Sequence, residues 1–230
     1  MAMTLYELVG RDDRRFSPFC WRTRLALAHK GLAAEIVPVG FTEKETIAFS
    51  GQEKVPVLVD GNKVISDSWA IADYLDDAYP DRPPLFGNDA ARGAALFVNF
   101  WTDRQLQGDL FGLIVADILD HCRPEDRDYF RDSREGRFNK SLAEVQAGRE
   151  DRLPAFRARL EPLRATVKRQ PFLAGAAPAY VDFIPFSSLQ WARGVSPFKL
   201  LEDDDPVRAW ALRLCAAFDG LADSVPVYPL

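Results

Sequence analysis

Lys54-Val55-Pro56-Val57-Leu58-Val59-Asp60-Gly61-Asn62-Lys63-Val64-Ile65-Ser66-Asp67-Ser68 sets two short β-branched runs around a turn, with a helix start behind them. Val57–Val59 and Val64-Ile65 flank Asp60-Gly61-Asn62-Lys63, which predicts a β-hairpin. From about Ser66, the residues Ile71, Tyr74, Leu75 and Ala78 recur at helical spacing until Pro80 ends the helix. Upstream, Glu35–Val39 predicts a strand. Ser17-Pro18 opens a helix and Gly31 closes it, with serine as cap, proline in the first turn and glycine just past the end. Thr4–Val9 predicts the first strand. Strand, helix and strand in that order need a parallel pair and a right-handed crossover.

This βαβ unit followed by a hairpin and a helix predicts a thioredoxin-like α/β domain over residues 1–80. Asp81-Arg82-Pro83-Pro84-Leu85-Phe86-Gly87-Asn88 predicts a linker over 81–88, because its prolines stop both neighbours from extending. Residues 89–230 read as an all-helical domain, so the fold class is α/β plus all-α. Between Ala90 and Cys122, Leu96, Phe97, Phe100, Trp101, Leu110, Phe111, Ile114, Ile118 and Leu119 form an apolar face, weakened by the polar middle Thr102–Asp109. Phe156, Leu160, Leu163 and Val167 mark a later helix that Pro162 should kink or break. Asp205-Pro206 starts the last helix, which buries Val207, Trp210, Leu214 and Phe218. With six basic and five acidic residues, Arg123–Lys140 predicts a solvated charged face or loop, not a nucleic-acid patch.

Composition narrows the function. A 230-residue chain that is 47% apolar and 27% charged can bury a core without disulfides or structural metal, which excludes disorder as its main state. A net charge of -5 leaves no nucleic-acid footprint. Cys20, Cys122 and Cys215 lack CxxC spacing, which argues against a disulfide framework and a cysteine-built zinc site. The opening MAMTLYELVG has no leader pattern, and no apolar run is long enough to span a membrane. A reducing cytoplasm is the expected compartment. Aromatic residues make up 12% of the chain, enough to line an apolar pocket as well as a core.

Four places could hold chemistry. Ser17 is a helix cap on one reading; on the other, its hydroxyl stabilises a thiolate placed in the positive field of the helix N-terminus. Cys20 stands three residues on, where thiol–disulfide oxidoreductases have their second cysteine, but the attacking first cysteine is missing. It reads as a small packed residue, with redox chemistry the other possibility. Pro56 either starts a strand in trans or, in cis, turns the Val55 backbone outward to pair with an extended peptide. Asp67-Ser68 caps the next helix, or holds the ammonium and carboxylate of an amino acid.

Taken together, Ser17, Lys54-Val55-Pro56-Val57-Leu58, Ser66-Asp67-Ser68-Trp69-Ala70-Ile71-Ala72-Asp73-Tyr74-Leu75 and Tyr79-Pro80 resemble the glutathione site of glutathione transferases. The Ser-Pro-x-x-Trp-Arg and Asp-Ser-Trp variants look most like the bacterial lignin β-etherase branch and the fungal serine-type enzymes. In the helical half, Phe172-Leu173-Ala174-Gly175 followed by Asp182 resembles the family's buried helix cap, although Ala179 replaces its usual Ser or Thr. The resemblance implies a glutathione transferase with glutathione as co-substrate and no metal. Ser17 would contact the sulfur, Val55 beside cis-Pro56 the cysteinyl backbone, and Asp67 and Ser68 the γ-glutamyl end. Lys44, Gln52 and Lys54 are candidates for the glycyl carboxylate. A small apolar or aromatic electrophile would lie between the domains, against Phe16, Phe19, Trp101, Phe111 and Trp191. β-Aryl ether cleavage is one version of the reaction, and a homodimer is the expected assembly. A non-catalytic carrier of apolar aromatics and a Cys20-dependent oxidoreductase or peroxidase are the competing readings. No nucleic-acid or membrane partner is expected.

Overall fold

The computed structural model describes residues 3–230; Met1 and Ala2, part of the stretch read for a leader pattern, lie outside them. The first half runs β1 (Met3–Leu8), α1 (Pro18–His29), β2 (Ala34–Val39), β3 (Val57–Asp60), β4 (Lys63–Ser66) and α2 (Ser68–Ala78). The sheet order is β2-β1-β3-β4. β1 pairs parallel with β2, starting at Met3 with Ala34, and antiparallel with β3 through Leu5 and Leu58. The hairpin has Asp60 opposite Lys63, so Gly61 and Asn62 form a two-residue loop; Gly61 takes φ +59, which glycine adopts without a Cβ penalty. Fully buried Leu5, Leu25, Leu58, Ile71 and Leu75 join the sheet to α1 and α2, each contributing about 1.5–3 kcal/mol of burial. This is a thioredoxin-like domain.

Residues 81–88 form neither helix nor strand, and the elements after them are helices joined by loops: α3 (Asp89–Trp101), α4 (Gln107–His121), α5 (Arg127–Phe138), α6 (Leu142–Gln146), α7 (Arg149–Arg159), α8 (Glu161–Val167), α9 (Tyr180–Val195) and α10 (Pro206–Gly220). A π-helical turn, Thr102–Leu106, joins α3 to α4, so the predicted long helix runs on with a bulge in its polar middle. Arg22 of α1 supplies the reason for the polarity. It is buried and donates to Asp103 at 2.6 Å and Asn99 at 2.9 Å, tying the first helix to the bulge. Pro162 breaks the later helix as expected: α7 ends at Arg159 and α8 starts at Glu161. Asp205 caps α10 through the Val207 amide at 2.9 Å, and Val207, Trp210 and Leu214 are buried as expected, whereas Phe218 lies at a break in the helix over 217–219 and is only half-buried.

Other expectations fail or hold only in part. Leu96, Phe97 and Phe100 do not enter the core; Phe97 is 74% exposed. The opposite side of α3 faces inward, with Ala95 and Asn99 buried. Arg123–Lys140 is mostly exposed, as expected, but one side of it turns inward. Asp126 is fully buried and accepts from Arg123 and from the Thr42 amide and hydroxyl, and Phe130 is buried on α5. A Cβ on Gly40 would stand 1.7 Å from the Arg123 guanidinium, so the absence of a side chain lets this segment dock on the first domain.

α9 is buried all round from Asp182 to Val195 and packs along α1. Asp182 fixes its start. The carboxylate accepts from the Leu173, Ala174 and Ala179 amides at 2.6, 3.1 and 3.2 Å and from Trp210 Nε1 at 2.9 Å. Ala179 has no hydroxyl to return, so only one half of the capping box forms. The Asp182 amide, from which such a hydroxyl would accept, donates instead to the Ala179 carbonyl at 2.9 Å.

Candidate active site

The start of α1, the loops after β2 and before β3, α4, α5 and α9 enclose a cavity of about 490 Å³ between the two halves of the chain. Ser17 lines it and caps α1, accepting from the Cys20 amide at 3.2 Å. That bond uses a lone pair and leaves the hydroxyl hydrogen free to donate. Pro18, the first helical residue, has no N–H. Phe16, just before the cap, is buried against α9, where a Cβ on Gly194 would lie 2.9 Å from its own Cβ.

The neighbours of Ser17 are committed elsewhere. Trp21 Nε1 donates to the Arg15 carbonyl at 2.6 Å, and Arg22 is held by Asn99 and Asp103. Cys20 is 3% exposed, and burial pushes its thiol up to about 12, so no thiolate forms there near neutrality.

Opposite α1, the Val55–Pro56 peptide is cis and Val55 lines the cavity. Among the described residues, neither the Val55 amide nor its carbonyl makes a hydrogen bond within the chain. Asp67 precedes α2 at φ +77, a conformation that costs a non-glycine residue on the order of 1–3 kcal/mol. Its Oδ1 accepts from the Trp69 and Ala70 amides at 2.9 and 3.1 Å, while Oδ2 has no partner among the described residues. Ser68 is buried, and its carbonyl accepts from the Tyr180 hydroxyl at 2.8 Å. Neither Asp67 nor Ser68 lines the cavity.

Of the three glycyl-carboxylate candidates, Lys44 and Lys54 line the cavity and Gln52 does not. Lys44 donates to Glu53 at 2.9 Å. Phe16, Phe19, Phe111 and Trp191 form much of the apolar wall, with Phe111 and Trp191 ring centres 6.2 Å apart. Trp101 packs against the core, away from the cavity. Asp109 and Asp117 also stay out of it: Asp109 pairs with Arg159, and Asp117 with Arg149 at 2.7 Å.

Sequence reasoning missed the wall built by α5: Tyr129, Phe130, Ser133, Arg134 and Arg137. The signal was the spacing. Phe130, Arg134 and Arg137 recur at i, i+4 and i+7, and Tyr129, Ser133 and Arg137 at i, i+4 and i+8. Counting charges over the segment hid that face. Among the described residues, no group of three or more His, Cys, Asp or Glu is placed to hold a metal ion, and no helix is long and apolar enough to cross a membrane.

Comparison with known proteins places this geometry. Residues 16–78 match the glutathione S-transferase N-terminal domain and residues 94–210 the glutathione S-transferase C-terminal domain. The chain belongs to the glutathione S-transferase family, whose co-substrate is glutathione. Glutathione S-transferase Z2 of Arabidopsis thaliana is 44% identical over 73 residues, a match covering 30% of this chain and 32% of that protein. The chain thus aligns with about a third of that relative's length. The glutathione transferase GSTFuA2 of Phanerochaete chrysosporium superposes with a TM-score of 0.77 at 26% identity, over 96% of this chain and 94% of that one. CsGST63524 of Ceriporiopsis subvermispora, solved in complex with glutathione, shares the fold at a TM-score of 0.81 and 23% identity, over 98% of this chain and 99% of that one.

Proposed function

We propose that the chain is a serine-type glutathione transferase, in which Ser17 holds the glutathione sulfur as a thiolate for attack on an electrophilic carbon of an apolar or aromatic compound. The observation that carries this is the cavity-lining Ser17 hydroxyl, which accepts from Cys20 and keeps its own hydrogen to donate. The field of the α1 N-terminus adds to the depression of the thiol pKa. Sulfur forms a bond to carbon, the leaving group departs with its electron pair, and the thiol proton goes to solvent. Holding both reactants in one cavity supplies the rest of the rate gain. A β-aryl ether, with phenolate leaving, is one substrate of this kind.

The unpaired Val55 amide and carbonyl suit the cysteinyl backbone of the tripeptide. The free Asp67 Oδ2 suits its α-ammonium, with Ser68 beside it, and Lys44, Lys54 or Gln52 would take the glycyl carboxylate. Asp67→Asn retains the cap oxygen but removes the charge. Its glutathione dissociation constant should rise about tenfold or more, as the loss of a charge-assisted bond worth about 1.5–3 kcal/mol requires. Calorimetry reads this directly, and unchanged affinity removes Asp67 from the site. Glutathione-dependent turnover of a chlorodinitrobenzene separates the transferase from a carrier, which would bind the aromatic and leave it intact. The buried, protonated Cys20 thiol speaks against chemistry at that residue.

Leu96, Phe97 and Phe100 support a homodimer, because an exposed apolar cluster on one helix is what a second copy would cover. Phe97→Glu should sediment as a monomer where the parent chain is dimeric; a monomeric parent contradicts the assembly. Three free and buried cysteines fit a reducing cytoplasm.

A further inference from the structure

The cavity wall carries four cations, Lys44, Lys54, Arg134 and Arg137, and one carboxylate, Glu53, in a chain whose net charge is -5. Lys44 already pairs with Glu53 at 2.9 Å. Arg134 and Arg137 have no carboxylate partner among the described residues, whereas Arg123, just before the same helix, is held by Glu43 and Asp126. The Arg134 guanidinium lies 4.6 Å from the Phe130 ring centre and 5.3 Å from that of Phe41. It donates to Ser133 Oγ at 2.7 Å, which leaves most of its five N–H donors unused. Burial lowers its pKa, so the lost hydration is not made good by a counter-charge.

We propose that the second substrate is an aromatic carboxylate, its ring against the apolar wall and its carboxylate on Arg134, with Arg137 alongside. The inference rests on the transferase reading and deepens it. On that reading the glycyl carboxylate offsets the surplus charge of Lys44, Lys54 and Glu53. The thiolate balances only one of the two arginines, and a substrate carboxylate balances the other. A planar guanidinium between aromatic rings matches a carboxylate in two parallel hydrogen bonds, a geometry that lysine cannot reproduce.

The test is calorimetric binding of naphthoate and naphthamide to the full chain saturated with glutathione, alongside turnover of a chlorodinitrobenzene. The parent should bind naphthoate at least about tenfold more tightly than naphthamide, the discrimination expected of a charge-assisted pair. Arg134→Gln should remove the preference and Arg134→Lys should restore part of it. Arg137→Gln should reduce it less. Equal binding of the two aromatics by the parent overturns the proposal. So does an Arg134→Gln variant that loses glutathione affinity and keeps the naphthoate preference, since Arg134 would then serve the tripeptide. Failure of the neutral electrophile to react overturns the transferase reading instead, while an Arg134-dependent naphthoate preference still supports the anion site.

Discussion

Ser17→Ala should lower glutathione-dependent turnover at neutral pH by about one to three orders of magnitude, the usual loss when a donor to developing or stabilised negative charge is removed. The same substitution removes the cap on the Cys20 amide, for about 1 kcal/mol of stability. The two effects separate cleanly. A cap alone would lower the melting temperature and leave the rate per folded molecule intact. Neither Trp21 nor Arg22 is placed to stand in for the hydroxyl, because each is buried and already hydrogen-bonded away from the cavity.

Asp182→Ala should cost more stability than any other single substitution considered, because it strands four donors at once. The Leu173, Ala174 and Ala179 amides and the Trp210 indole all point at one carboxylate that is fully buried. Each donor left without a partner costs about 1–3 kcal/mol, so the total should exceed about 4 kcal/mol, a range reached only when a buried network is broken. A urea midpoint measurement reads the loss. Asp182→Asn keeps one acceptor oxygen and should fall between the two. A change below about 1 kcal/mol in the alanine variant would mean that α9 does not depend on this cap.

Most of the fold was legible because its signals are local. Gly61-Asn62 between two β-branched runs dictates the hairpin, Pro162 the break between α7 and α8, and Asp205-Pro206 the start of α10. Long-range pairings were not legible. The polar middle at Thr102–Asp109 read only as a weak stretch of helix, because its purpose, to receive Arg22, lies some eighty residues away in the chain. Leu96, Phe97 and Phe100 read as core because periodicity reports an apolar face and not what covers it. At the cavity, sequence motifs led to Ser17 and Val55, each beside a proline, whereas Lys44 and Lys54, which also line it, were candidates by proximity alone. The α5 wall escaped because like and unlike charges alternate along it and cancel in any window count, while Arg134 and Phe130 share one face only once the helix is formed.

Glutathione bound to the parent chain and to Ser17→Ala, titrated by its ultraviolet thiolate absorbance, tests the role of Ser17 most directly. In the parent, the thiolate should appear well below the pH at which free glutathione ionises. In Ser17→Ala it should appear at a higher pH than in the parent, with part of the depression retained, because the α1 N-terminus still contributes its field. Superimposable titrations in the two proteins would contradict the assignment and leave Ser17 as a helix cap.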